Sequence, residues 1–261
     1  MWFGKFLTSP QAREYYYRGI SHFCEMNKED NAIARKWFEQ LYEVEPNTVV
    51  GLSMVASTHW GDGFNNWSDS STESMENAAT WARKSIEYED NNGLGHAILG
   101  HIELLKGNFE VALELCETGA NLRSSCPMAH GVLGLVHNYR GEPQSAIQNI
   151  KKALNLERII YPTWLINGLA TAYRDGGDVD LSVTAANESI KRDHEQNEAR
   201  LILCCDYQLT SEHEQARRVA GEILKSDPDF SISTFTQTQP YKDHMTLDRL
   251  ASCLREAGLP D

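Results

Sequence analysis

Apolar positions recur along this chain at the three-and-four spacing of helices, in stripes short enough to be broken every dozen or so residues by Gly, Asn, Pro or charge. The stripes are themselves spaced regularly. Leu99-Gly100 is repeated 34 residues on as Leu133-Gly134, Gly107 as Gly141, and Ala112 as Ala146. Tyr173 and Tyr207 keep the same spacing, as do Ser182 and Ala216. The pattern predicts helix pairs over 93–126 and 127–162, then 163–196, set two residues later by Ile159-Ile160-Tyr161-Pro162, then 197–230. Leu203-Cys204, Ala220 and Pro228 mark the last of these. Two less regular pairs precede them. One is 12–48, marked by Gly19, Ala34, Phe38 and Pro46, with about three extra residues in its turn at Met26 to Asn31. The other is 49–92, marked by Leu52, Val55-Ala56, His59, Ala78 and Asp90, with a turn from Gly61 to Ser74 about ten residues too long. Residues 231–261 leave the period: a polar stretch precedes an apolar face of Met245, Leu247, Leu250, Cys253 and Leu254, closed by Ala257-Gly258-Leu259-Pro260.

A period of 34 with small residues at fixed points resembles the tetratricopeptide repeat, a helix-turn-helix unit. Small side chains are needed where two helices approach closely; bulky ones fill the space around those points. The fold class that follows is all-α: a right-handed α-α superhelix of about six helix pairs. Residues 231–261 would cap it, since the last repeat of an array exposes an unpaired apolar face. The long turn carries Phe64 and Trp67, which loops usually avoid. They either fold back on the repeat core or form a binding loop.

Composition narrows the function. A net charge of −13 offers no basic footprint for nucleic acid or for an anionic membrane surface. No stretch approaches the ~18 apolar residues of a membrane span. The first ten residues do not read as a signal peptide, and a cytoplasmic location is expected. The six cysteines form no C-x-x-C pair and read as reduced packing thiols. His96, His101, His130 and His137 lie close in sequence, but their spacings match no metal framework. Phosphate loops and nucleophile elbows are absent. The chain reads as a non-enzyme with no cofactor and no metal.

What remains is surface. The first helix of each pair should line the inner wall of the superhelix. Tyr16, Trp60, His101, Asn138, Tyr139, Trp164, Asn167 and Arg174 fall at inward positions. Asn can hydrogen-bond a peptide backbone in both senses, and Tyr and Trp serve as anchors. These residues form the candidate peptide groove, with Asn138, Tyr139, Trp164, Asn167 and Arg174 its best cluster. The partner is expected to be a protein or peptide. A homo-oligomerisation scaffold is the alternative, with Trp37 and Trp81 on second helices as its candidate contacts unless they pack between neighbouring units, and a small-ligand-binding or enzymatic groove ranks last.

Several strings go beyond a generic repeat: AREYYYRGISHF and KEDNAIARKWFEQ, THWGDGFNNWSDS, and PYKDHMTLDRLASCLREAGLPD. Together they resemble the C-terminal tetratricopeptide region of bacterial class III adenylate/guanylate cyclases, over almost the whole chain. The resemblance implies a regulatory or scaffolding role beside a cyclase domain. No such domain is present in this chain, so no residue inherits a catalytic role.

Overall fold

The computed structural model describes residues 7–46, 48–89, 93–156, 162–195 and 197–261. Asp90 and the Ile159–Tyr161 part of the register signal lie outside them. Among the described residues there is no strand, and the fold is all-α.

The helices are α1 Pro10–Phe23, α2 Lys28–Val44, α3 Val49–Phe64, α4 Ser71–Glu89, α5 Leu94–Leu105, α6 Phe109–Leu122 and α7 Pro127–Tyr139. They continue with α8 Pro143–Leu156, α9 Thr163–Asp175, α10 Val179–Arg192, α11 Asn197–Leu209, α12 His213–Ser226, α13 Ile232–Gln237 and α14 His244–Glu256. The first twelve fall two by two within the six sequence windows. Side-chain caps start several of them: the Ser9 oxygen accepts from the Gln11 and Ala12 amides, and Asn27 Oδ1 accepts from the Asp30 amide. Contacts divide the chain into two compact units. One comprises residues up to Ile102 with Glu114–Ala129; the other is Glu103–Leu113 with His130–Asp261.

The small residues sit where close approach demands them. Ala34, Ala78, Ala112, Ala146, Ser182 and Ala216, one from the second helix of each pair, are all fully buried. Gly134 on α7 faces α8 so closely that a Cβ would lie 2.4 Å from Ile150 Cγ1 and 3.2 Å from the Ala146 carbonyl oxygen.

Both irregular turns are shorter than expected. The Gly61–Ser74 stretch is largely helix: α3 continues through Phe64 and α4 begins at Ser71. Gly63 lets α3 close on α4, where a side chain would collide, while Gly61 would meet its neighbour only at ordinary contact distance. A Cβ on Gly63 would lie 2.9 Å from Met75 Cγ, and one on Gly61 3.4 Å from Asn31 Oδ1. Likewise α2 starts at Lys28, inside the expected Met26–Asn31 turn, because Asn27 caps it there.

At the other end, Ile232 to Gln237 forms the short helix α13 in a segment whose polarity hid it. Helix α14 packs on α11: Leu250, Leu254, Ala257 and Leu259 share a buried cluster with Leu201, Cys204 and Cys205. Met245 does not join that face and is 78% exposed.

Candidate functional site

The candidate groove residues divide between the two units. In the first, Tyr16 is buried. Trp60 is also buried, and its Nε1–H donates to His101 Nδ1 at 3.1 Å. Phe64 stacks on Trp60 with ring centroids 4.8 Å apart and meets His101 edge-on at 5.2 Å. Burial holds the His101 imidazole down to about 4, so it is neutral and accepts the indole proton. Phe64 thus folds back on the helix core. Trp67 is half-buried, its amide bonded to the Asp62 carbonyl at 2.9 Å.

In the second unit Asn138, Trp164, Asn167 and Arg174 are buried, and Tyr139 is half-buried. The residues expected to line a peptide groove are therefore packed against other parts of the chain. Asn138 Nδ2 donates to the Gly168 carbonyl at 2.7 Å, tying α7 to α9. Asn167 Nδ2 donates to Glu198 Oε2 at 2.8 Å, tying α9 to α11. The Oδ1 atoms of both asparagines are buried without a hydrogen-bond partner among the described residues. Trp164 packs over Gly131, where a Cβ would lie 2.7 Å from its ring.

Tyr139 and Arg174 meet the segment between α13 and α14. Tyr241 lies edge-on to Tyr139, centroids 5.0 Å apart at 73°. Arg174 Nη2 donates to the Tyr241 hydroxyl at 3.3 Å, and Arg174 Nε pairs with Asp175 at 2.9 Å. The Tyr139 hydroxyl donates to Gln239 Oε1 at 3.3 Å. The Lys242 amide donates to the Tyr139 carbonyl at 2.8 Å, satisfying an acceptor that the end of α7 leaves open. Lys242 Nζ bonds Glu110 Oε1 at 2.8 Å and lies 5.9 Å from the Phe109 ring centroid. Arg140 Nη1 takes the other Glu110 oxygen at 2.8 Å, and the two cations hold that carboxyl below the usual range. Burial pushes the Tyr241 phenol up to about 12, so it stays neutral.

Glu110, Gln239, Tyr241 and Lys242 were not among the sequence candidates. The one available signal was an isolated Pro-Tyr-Lys within a polar, non-periodic stretch. Nearby, Cys205 on α11 and Cys253 on α14 are hydrogen-bonded, which brings the Cys253 thiol down to about 7. Trp37 and Trp81 are half-buried: Trp37 lies beside Tyr15 at 5.7 Å and Trp81 edge-on to Tyr42 at 5.1 Å. Among the described residues no group of three His, Cys, Asp or Glu side chains is placed to hold a metal ion. Nor, among them, is any helix long and apolar enough to cross a membrane.

No family model matches the chain, and no curated protein matches it. Solved structures do. A chain of the APC/C hetero-tetramer Cut9–Hcn1 superposes with a TM-score of 0.67 at 17% identity, covering 91% of this chain and 45% of that one. This chain therefore spans less than half the length of that relative. PilF of Pseudomonas aeruginosa gives 0.56 at 13% identity, covering 84% of this chain and 93% of its own. A tetratricopeptide repeat protein from Parabacteroides merdae gives 0.51 at 13%, covering 95% and 93%. Identities this low carry the fold alone, and the fold they carry is the tetratricopeptide array of helix pairs read from the 34-residue period.

Proposed function

We propose that this chain is a protein-interaction module that holds a non-helical peptide segment against α6, α7 and α9 of its second unit. One observation carries the reading. Tyr139, Arg174 and Glu110 already grip one such segment, Gln239 to Lys242, through one main-chain hydrogen bond, two side-chain hydrogen bonds, one aromatic contact and one ion pair. A main-chain bond is indifferent to sequence, and side-chain contacts supply the selectivity, as in other modes of peptide recognition. The finer context, a regulatory or scaffolding part of a cytoplasmic nucleotide-cyclase signalling protein, rests on the sequence resemblance in KEDNAIAR and LREAGLPD.

Peptides selected from a random display library on the full chain should slow hydrogen exchange on α7, α9 and α11. Failure to select any peptide, or a footprint confined to the second helices of the pairs, would remove the reading. The cyclase context is tested separately, by adding the chain to a class III cyclase catalytic domain. Neither co-elution nor a change in turnover would leave the interaction reading without that context.

A further inference from the structure

We infer that Gln239–Lys242 is a displaceable internal ligand, and that the site beneath it takes a non-helical segment of a partner protein carrying a tyrosine followed by a lysine. The inference rests on the interaction reading above and names its partner chemistry and its regulation.

The grip on the segment is made of parts a foreign peptide can supply. The Lys242 amide is main chain, so any residue but proline at that place can donate to the Tyr139 carbonyl. The tyrosine slot is defined by the edge of the Tyr139 ring and by the Arg174 guanidinium aimed at the phenol oxygen. Arg174 is a donor only, and it selects a group that can accept. The basic residue is selected by Glu110, whose two oxygens are shared between Lys242 and Arg140. A carboxylate in place of Lys242 would meet Glu110 directly, and the overall charge of −13 works in the same direction.

The internal copy is held by one buried side chain, Tyr241, and its outer contacts are weak. Lys242 and Glu110 side chains are 47% and 72% exposed, and exposed ion pairs contribute little. Pro240 gives up a main-chain donor, and the Tyr241 amide turns back to the Gln239 carbonyl rather than reaching the helices. Such a segment excludes a partner by being tethered, at a high effective concentration, with the Tyr241 ring as its one buried anchor. A partner with the same chemistry then binds with an apparent affinity lowered by the fraction of chains in which the site is filled.

The test uses the full chain and a fluorescein-labelled peptide of residues 235–244, FTQTQPYKDH. Hydrogen exchange at the Lys242 amide reports release of the segment. In the Tyr241→Ala/Lys242→Ala double variant that amide should exchange freely, and the peptide should bind at least tenfold more tightly than to the wild type. A peptide with glutamate at the lysine position should lose at least tenfold. The Glu110→Lys variant changes an exposed residue and should reverse that preference. Equal binding by wild type and double variant overturns the inference. So does no binding despite free exchange, and so does a double variant that keeps the Lys242 amide protected or unfolds as a whole. An unreversed preference in Glu110→Lys removes the lysine part. If library selection yields a peptide without the tyrosine-lysine pair that still protects α7 and α9, this inference falls and the general interaction reading stands.

Discussion

Asp206 is fully buried on α11, with one oxygen accepting from Ser182 Oγ at 2.6 Å and the other without a partner among the described residues. Burial pushes its carboxyl up to about 7. The folded chain therefore holds this proton more tightly than the unfolded chain does, and stability from this group falls as pH rises from about 4 to 7. Asp206→Asn removes the titration. Its melting temperature should gain on the wild type between pH 5 and pH 8, by the equivalent of roughly 2–4 kcal/mol. A constant difference across that range would place the proton elsewhere. Cys253 differs from the other thiols of the same unit in the opposite way. Burial holds Cys204 up at about 12, and Cys205 is raised by its hydrogen bond to Cys253. Iodoacetamide at pH 7.5 should modify Cys253 well before Cys204 and Cys205, as peptide mass spectrometry would show; equal rates would contradict the pairing. Neither property was legible in the sequence. Asp206 and Cys253 look like ordinary helix residues there, and only the packing of α10 and α14 on α11 sets them apart.

The 34-residue period is written most plainly at the ends of the first helices. At Gly107, Gly141, Gly177 and Ser211 the backbone takes φ of 78°, 78°, 91° and 63°. At each, the amide bonds the carbonyl three residues back and the next amide bonds the carbonyl five back, as at Gly141 to Asn138 and Glu142 to His137. This is the Schellman closure. Nothing lies within 4 Å of a Cβ built on the three glycines, so they are chosen for backbone freedom and not for space. Ser211 adopts the same conformation with a side chain. Ser211→Gly should therefore stabilise the chain by about 1 kcal/mol in denaturant unfolding, and a neutral or negative result would mean that the serine hydroxyl offsets the strain. The small residues of the second helices carry the opposite expectation. Ala112→Trp and Ala146→Trp should each cost about 1–3 kcal/mol or more, since both alanines are fully enclosed. Small and glycine positions were legible because they obey short-range geometry. The Gly61–Ser74 stretch was misread for the same reason: Gly63 serves a close contact with α4, which composition alone presents as loop character.

Within the second unit, contacts do not follow the nearest-neighbour rule of repeat arrays. Lys242 and Glu110 are 132 residues apart in sequence, and Tyr139 and Gln239 are 100 apart. The segment from Gln239 to Lys242 links α14 to α7 and to the start of α6, elements that a linear stack would leave to unfold one after another. No local pattern could reveal this, because the polar run TQPYKD has no stripe and its partners lie several helices earlier. The same blindness explains the groove. Inward positions for Asn138, Tyr139 and Arg174 followed from repeat register, but what fills the space in front of them did not. Native-state hydrogen exchange can weigh the link directly. Amides of α14 and of the last turn of α7 should exchange with one shared opening free energy in the wild type. In Tyr241→Ala, which removes the ring between Tyr139 and Arg174, α14 should open at lower free energy while the last turn of α7 keeps most of its protection. If α14 already opens independently in the wild type, the segment does not couple these elements, and the unit behaves as a simple stack.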